Sequence, residues 1–418
     1  MKIYKFGGAS VKSAEGVKTL ASIIKNEDVP IVVVISAMGK TTNMLENVVD
    51  SYFNQKPDLI SNVATVKNFH KKIVDDLYSR QSNIYRRVAE IFETLETIIS
   101  QKPSLSYDFE YDRIVSLGEI LSTSIVSHYL NEVGINNTFV DIRTCIKSDN
   151  NYREGIVDYD LSKELVKSTM TFANTQMYVT QGFIAGTITN QTTTLGREGS
   201  DYSAALLASM LNAESVTIWK DVPGVMNADP KLYDKVQIIK RLSYKEAIEL
   251  SYCGATIIHP KTIKPLKMKK IPLYVKSFIN PEKEGSVIND YTERVAMPPI
   301  YIHKKNQVLI TLTPRDFSFV AEERLSSIFL VLAAYKVKVS LIQTSAISFS
   351  LCIDYNQATF NAMVKEFQQS YEVLYNTDVE LITIRHYTKD ILDKIFAEKT
   401  VFVEQRSRQT VRIVVPTN

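Results

Sequence analysis

Five short segments carry residues of the types and spacing that handle anionic groups. Lys5-Phe6-Gly7-Gly8-Ala9-Ser10 lies where a β-branched apolar run ends and a helical pattern begins. Glycines at such a junction let backbone N–H groups approach a phosphate, the helix terminus favours negative charge, and Lys5 adds a mobile cation. A plain tight turn is the competing reading of the same residues. Ser36 and Thr42 end a second strand and open a second helix, where hydroxyls cap free N–H groups or meet a ligand. Gly39-Lys40-Thr41 is not a P-loop, because that pattern needs glycine where Val34 stands. Glu119, in Ser116-Leu117-Gly118-Glu119, is an acid within an apolar helical stretch from Ile114 to Ile125. Buried there it needs a partner, and an ammonium group suits it.

The most informative segment is Thr194 to Ala205, which joins Gly196, Arg197, Gly199, Ser200 and Asp201 just before a helix of small residues. Ser200 or Asp201 can serve as a simple N-cap. An arginine beside an anion-binding helix start fits a carboxylate and a phosphate together. Trp219-Lys220-Asp221 follows another strand, and Pro223-Gly224 makes a long turn at its carboxyl end, where ligands collect in open α/β sheets. His259-Pro260-Lys261 reads as a helix start. With histidines only at 70, 128, 259, 303 and 386, no H-x-x-x-H spacing supports a protein-held transition metal.

The elements that must position these residues alternate. Strands are predicted at Ile3–Phe6, Pro30–Ile35, Thr138–Val140, Gln176–Val179, Val216–Trp219 and Leu273–Val275. Helices are predicted at Val11–Ile24, through most of 43–134 with Pro57 and Pro103 at helix starts, and at Ser200–Leu211 and Tyr244–Tyr252. This alternation argues for a mainly parallel sheet covered on both faces. A polar stretch ending in Met297-Pro298-Pro299 reads as a linker. Beyond it the order is βαββαβ: strand Val308–Leu312, helix Ala321–Ala334, strands Val339–Gln343 and Ser348–Ile353, helix Thr359–Gln368, strand Glu372–Leu374. A partial copy follows, with strand Glu380–Ile384, helix Lys389–Ala397, and strands Val401–Glu404 and Thr410–Val415. It lacks room for a second helix, so it must borrow or share a strand. The expected domains are residues 1–295, 300–377 and a shortened unit at 378–418.

At 418 residues the chain is long enough for two to four domains. Hydrophobic residues at 45% and charged residues at 23% exclude disorder as the main theme. A net charge of +3 gives no overall cationic field, so neither nucleic acid nor a membrane surface is an expected partner. Cys145, Cys253 and Cys352 lie far apart, which suits buried thiols in a reducing compartment. Apolar runs such as Ile31–Ile35 and Ile328–Ala334 fall short of a bilayer span, and the lysines and glycines of the first eight residues do not suit a signal peptide. The expected location is cytoplasmic.

Taken in order and spacing, the Lys5-to-Ser10, Ser36-to-Gly39, Ser116-to-Glu119, Gly196-to-Tyr202 and Trp219-to-Gly224 segments resemble aspartate kinases (aspartokinases), across about residues 1–295. The tail resembles the ACT domains of that family. The resemblance implies an amino-acid kinase fold, a three-layer α/β/α sandwich with an open, mainly parallel sheet, followed by ferredoxin-like βαββαβ ACT domains. It implies transfer of the ATP γ-phosphoryl to the β-carboxylate of L-aspartate, giving 4-phospho-L-aspartate at the head of lysine, threonine and methionine synthesis. It assigns Lys5 to the transferring phosphoryl, Gly7 and Gly8 to backbone donation, and Asp201 to orienting the lysine. Glu119 and Thr42 would hold the substrate ammonium, and Arg197 its α-carboxylate, with Ser36 and Ser200 nearby. Phe6, Lys220, Asp221, Met226 and Lys231 fall where the family contacts nucleotide. The acceptor carboxylate, with a pKa of about 3.9, is ionised at neutral pH, so no general base is required. Mg²⁺ would be bound mainly through the nucleotide and water.

Several positions depart from the resemblance. Ala9 replaces a threonine, and Glu198 replaces the commoner glycine or asparagine after the site arginine, bringing a negative charge to an anion site unless it points outward. Lys220 stands where threonine is usual, Met226 where an aromatic is usual, and Thr256 where a triplet lysine is usual; Lys220 is read as replacing that lost cation. Rival readings keep the fold and change the acceptor, as in acetylglutamate, glutamate or uridylate kinases, or make the chain an amino-acid sensor with weak kinase activity. Glu119 argues against the first, since only a free amine needs an anionic partner, and retention of Lys5 with Asp201 against the second. Homoserine dehydrogenase activity, fused to some relatives, is not expected, because no G-x-G-x-x-G fingerprint precedes Asn418. In the tail, Phe317 and Ser340 are the candidate effector contacts. Ser340 stands where lysine-inhibited relatives usually carry an aspartate, so the expected effector is threonine, or lysine bound mainly by backbone groups. A homodimer or higher homo-oligomer joined through the ACT domains is expected.

Overall fold

The computed structural model describes all residues except Asn26, Thr256, Ile257, 292–295, Phe317 and Asn418. It divides into two units, Met1–Val225 with Ile238–Ile248 and Ile257–Val295, and Met226–Gln237 with Glu249–Thr256 and Ala296–Asn418. Among the described residues no helix is long and apolar enough to cross a membrane.

The first unit opens with β1 (Lys2–Phe6), α1 (Ala14–Ile24) and β2 (Ile31–Ile35). Ser13 caps α1 by accepting the Gly16 N–H, and α1 buries Val17, Leu20 and Ile24 at helical spacing. Helices α2 (Thr41–Phe53), α3 (Leu59–Leu77), α4 (Ile84–Ser100) and α5 (Tyr107–Glu132) follow. Then come β3 (Thr138–Val140), α6 (Tyr159–Thr169), β4 (Met177–Gln181), the hairpin β5 (Ile184–Gly186) and β6 (Thr192–Thr194), α7 (Gly199–Leu211) and β7 (Ser215–Lys220). The remainder is β8 (Arg241–Ser243), α8 (Tyr244–Tyr252), α9 (Pro260–Lys269), β9 (Leu273–Ser277) and β10 (Ser286–Asn289). Helix α8 runs across the division between the units.

The main sheet has the order β3-β4-β2-β1-β7-β9-β10-β8, and only the β9–β10 pair is antiparallel. Strand β2, Ile-Val-Val-Val-Ile, is buried throughout, as expected for a parallel strand covered on both faces. On one face Tyr4 and Phe6 join Val17, Leu20, Ile125 and Trp219 in the core, with Phe6 stacked on Trp219 at 6.0 Å. Alternation along β1 therefore sends Lys5 to the opposite face, where α7 packs. Because β1 is central, with β2 on one side and β7 on the other, the loops after all three strands open at one carboxyl edge, where connections diverge.

The second unit is built on one antiparallel sheet of order β12-β13-β11-β14-β16-β15. Its elements are β11 (Ile300–Pro314), α10 (Glu322–Ala334), β12 (Val339–Thr344), β13 (Phe349–Asp354), α11 (Gln357–Phe367), β14 (Tyr371–Arg385), α12 (Lys389–Glu398), β15 (Val403–Arg406) and β16 (Thr410–Pro416). Strand β11 begins at Ile300 and not at Val308. Ile300 and Ile302 are buried at period two, but polar Lys304 to Gln307 interrupts the apolar pattern and hides the extension from sequence reading. The two strands expected at 372–374 and 380–384 are likewise one, β14, because the polar Tyr375-Asn376-Thr377-Asp378 stretch stays paired to β11 instead of turning away. The irregularity is absorbed locally, with Asn306 and Asp378 at positive φ and a register shift on β11. Both long strands thus serve two βα arrangements, and the position 377/378 falls inside β14. Val308, Ile310 and Leu312 pack with α10 and α11, whereas Ile382 and Ile384 pack with Leu392 of α12.

Candidate active site

Lys5 and Asp201 meet on the α7 face of the sheet. Lys5 Nζ lies 2.6 Å from Asp201 Oδ1, and both side chains are nearly inaccessible to solvent. Lys220, two residues beyond the register partner of Lys5 on β7, projects from the same face and places its Nζ 3.8 Å from Asp201 Oδ2. Burial opposes ionisation of Asp201, but the charges of Lys5 and then Lys220 overcome it and hold the carboxyl below the usual range. Two ammonium groups thus converge on one carboxylate at the start of a helix, which is an arrangement for neutralising transferred negative charge.

The Gly7–Gly8 turn covers this pair. A Cβ on Gly8 would lie 2.6 Å from the Ala37 carbonyl oxygen, so only glycine lets the loops after β1 and β2 close on each other. The Gly39 N–H donates to the Gly8 carbonyl at 2.9 Å and the Ser36 N–H to that of Phe6 at 3.1 Å. Gly7 stands beside Lys5 Nζ, 3.6 Å from where its Cβ would be. The Phe6 ring belongs to the core, so only its backbone faces this edge.

Glu119 comes from α5. At Gly118 a side chain would meet Thr41 Cγ2 at 2.9 Å and Leu45 Cδ1 at 3.0 Å, so glycine lets α5 press against the start of α2 and brings Glu119 under the 36–39 loop. Ser122, one turn further, donates to the Ser36 carbonyl at 2.6 Å. Glu119 is 3% exposed, and its Oε2 has no hydrogen-bond partner. Burial pushes its carboxyl up to about 8, against the smaller opposing effects of the Lys5 charge and the Ala37 backbone. A buried acid left short of a partner can receive a cation, which would offset the cost of burying its charge.

The remaining expected residues are placed as follows. Thr42 is half-buried in the first turn of α2, whose N-cap is Lys40, so neither Ser36 nor Thr42 caps that helix. The residue that ties the helix start is Thr41, which donates to the Met38 carbonyl at 2.6 Å. Ser200 is buried in the first turn of α7. Arg197 is exposed at the tip of a turn closed by the Gly199 N–H on the Gly196 carbonyl at 3.0 Å. Glu198 turns aside: its Oε2 accepts the His259 N–H at 2.8 Å, so its charge meets the start of α9, which opens at Pro260 with His259 as N-cap. Asp221 is exposed directly after β7. Met226 and Lys231 belong to the 226–237 segment of the second unit, and there the Lys231 N–H donates to Asp229 Oδ1 at 2.9 Å. Ser340 Oγ on β12 accepts from Lys304 Nζ at 2.7 Å, and the same lysine pairs with Asp354 at 2.8 Å. Phe317 and Thr256 lie outside the described residues.

Sequence reading missed Asp112, a fully buried acid on α5. The signal was available, since it precedes Glu119 by seven residues and therefore shares its helix face. Among the described residues no cluster of three His, Cys, Asp or Glu forms a protein cage for a metal.

Residues 1–277 match the amino acid kinase family. The chain is 30% identical over 366 residues to the lysine-sensitive aspartokinase 3 of Escherichia coli, a match that covers 85% of this chain and 79% of that protein. It is 34% identical over 298 residues to the bifunctional aspartokinase/homoserine dehydrogenase of Buchnera aphidicola, covering 69% of this chain but only 36% of that longer protein. The crystal structure of E. coli aspartokinase III in complex with aspartate and ADP, described as the R-state, superposes with a TM-score of 0.84 at 25% identity, covering 100% of this chain and 96% of that one. The chain therefore belongs to the amino acid kinase family and, within it, to the aspartate kinases.

Proposed function

We propose that the chain transfers the γ-phosphoryl group of ATP to the β-carboxylate of L-aspartate. The observation that carries this reading is the Lys5–Asp201 ion pair under the Gly7–Gly8 turn, together with the buried Glu119 carboxylate, one oxygen of which has no hydrogen-bond partner. A carboxylate oxygen of aspartate attacks the γ-phosphorus, the bond to the β,γ-bridging oxygen breaks, and ADP leaves with the electron pair. The acceptor is already ionised, so catalysis reduces to positioning and charge neutralisation. Lys5 neutralises the transferring group, and Asp201 holds Lys5 in place. Lys220 adds a second cation on the nucleotide side, and Phe6, Gly7 and Gly8 offer backbone donors there, with Asp221 as a further nucleotide contact. Glu119 and Thr42 receive the substrate ammonium, and Arg197 the α-carboxylate, with Ser36 and Ser200 lining the same pocket.

Mg²⁺ fits through the nucleotide and not through a protein cage, because the Asp201 oxygens face lysines. When bound it neutralises charge between the β- and γ-phosphates. The deciding experiment is a hydroxylamine trap with ATP, Mg²⁺ and single acceptors. Hydroxamate from aspartate, and none from glutamate or N-acetylglutamate, is expected; the reverse pattern would overturn the reading.

The second unit is the regulatory half in this reading. Its support is the likeness to a lysine-sensitive relative. Edge strand β12 and the exposed Phe329 and Leu330 of α10 suit pairing with a second copy. An amino acid, threonine or lysine, acts there by binding one of two states more tightly. At Ser340 the neighbours are the cation Lys304 and Arg412, which donates to the Ser340 carbonyl, so an effector ammonium would have to be held elsewhere, by backbone groups. Titration of lysine, threonine and methionine, singly and in pairs, should show inhibition in the millimolar range or below. Activity indifferent to all of them would leave the unit as an assembly module.

A further inference from the structure

Asp112 is fully buried, and no cation pairs with it among the described residues. Its two oxygens instead take three donors from two separate segments. Oδ2 accepts the backbone N–H of Arg153 at 2.9 Å and that of Thr194 at 2.8 Å, and Oδ1 accepts the Thr194 hydroxyl at 2.7 Å. The two segments are also tied to each other, since the Gly155 N–H donates to the Thr194 carbonyl at 2.9 Å. The Arg153 carbonyl oxygen lies 3.4 Å from where a Cβ on Gly196 would be, so the 153–155 segment packs directly under the turn that presents Arg197. Burial pushes the Asp112 carboxyl up to about 6, against its three hydrogen bonds. Packing alone does not call for such a group, because burying a carboxylate without a cation costs free energy that an apolar residue would not.

The position on α5 supplies the reason. Asp112 and Glu119 project from one helix face, about 10 Å apart along the axis. An α-amino acid carries its ammonium and carboxylate on the same carbon, so the groups that recognise them must be held at a fixed separation. A single rigid helix here carries one of those groups, Glu119, and grips the base of the turn that carries the other.

We propose that Asp112 is a positioning residue for substrate recognition: through Thr194 and Arg153 it sets the Gly196–Arg197 turn relative to Glu119, so that both ends of the amino acid are met together. This rests on the reading of Arg197 as the α-carboxylate ligand. Asp112 acts through Arg197 and does not itself touch substrate.

A double-mutant cycle on the full chain tests it. Asp112→Asn keeps the shape but turns one acceptor into a donor, and should raise the aspartate KM on the order of tenfold with the ATP KM unchanged. Arg197→Ala should raise it at least as much. In the double variant Asp112→Asn should add little, because the group it positions is gone. If the two effects multiply instead, the Arg197 assignment stands and the positioning role of Asp112 falls. If Arg197→Ala alone leaves the aspartate KM unchanged, the underlying assignment fails, and this proposal with it. Should Asp112→Asn not fold, Thr194→Val, which removes one of the three donors, runs through the same cycle. Thr194→Ser, which restores the hydroxyl, should then recover the aspartate KM; failure to do so overturns the proposal.

Discussion

Two buried carboxylates, Asp201 and Glu119, stand at the same carboxyl edge of the sheet and are shifted in opposite directions. Asp201 is held below the usual range because Lys5 and Lys220 lie against its oxygens. Glu119 is pushed up to about 8 because burial dominates and one of its oxygens has no partner. Equal burial thus has opposite consequences, depending on whether a cation is built into the fold. The Asp201 end is complete before any substrate arrives and suits the preorganised handling of phosphoryl charge. The Glu119 end is left with an oxygen that has no partner, and in the proposed reading the ammonium of a free amino acid completes it.

The largest effects should come from breaking the complete end. Lys5→Ala and Asp201→Asn should each lower kcat by about 10²–10³-fold while the chain remains folded by circular dichroism. Turnover near wild type in either variant would remove that pair from the catalytic centre.

The incomplete end makes a prediction about protons. With its folded carboxyl raised from 4.5 to about 8, Glu119 is mostly protonated at pH 7 in the free enzyme. An arriving ammonium favours the ionised form, so aspartate binding at pH 7 should release a proton and tighten as pH rises toward about 8. Calorimetry in buffers of different ionisation enthalpy measures that release, and Glu119→Gln should abolish it while weakening aspartate binding by about 10-fold or more. The sign for stability is the reverse. Between about 4.5 and 8 the free folded chain binds the extra proton, so wild type should lose stability relative to Glu119→Gln as pH rises through that window. A constant difference in Tm from pH 5 to 9 would show that Glu119 is not held protonated.

A smaller effect is expected at Lys220, which is partly exposed and farther from Asp201 than Lys5 is. Lys220→Thr should raise the ATP KM severalfold with little change in the aspartate KM, and adding Thr256→Lys should restore it. An unchanged ATP KM in Lys220→Thr would leave Lys220 as a partner of Asp201 with no share in nucleotide binding, and failure of the rescue would show that it does not replace the triplet lysine. The smallest predicted change concerns the approach that brings Glu119 into place. Gly118→Ala should cost about 1–3 kcal/mol by forcing α5 off α2, read as a fall of a few degrees in Tm.

Lys5, Asp201 and Glu119 were legible as candidates because each is a charged residue in a place where an apolar or small one would serve packing better, and Arg197 because it sits between glycines at the start of a helix. The glycine-rich junctions and strands β1, β2, β3, β4, β7 and β9 were legible too, since period-two and period-3.6 patterns are local properties of the chain, whereas α6, the β5–β6 hairpin, β8 and β10 were not read from it. The individual roles of Lys5, Asp201, Glu119 and Arg197 came from the resemblance to aspartate kinases and not from residue type alone.

What only tertiary structure decided was which of these groups share an environment. No local pattern says that β7 lies beside β1, and that adjacency alone puts Lys220 against the carboxylate Lys5 also holds. The charge of Glu198 could not be placed from sequence, because its partner is a backbone N–H at His259, sixty-one residues away. Asp112 carries no motif, and its partners Arg153 and Thr194 are distant in the chain. The continuous strands β11 and β14 were hidden for the same reason, since a polar stretch reads as a turn unless a neighbouring strand supplies its hydrogen bonds. Periodicity reports the face a residue turns to, whereas pairing and charge depend on what the fold brings to that face.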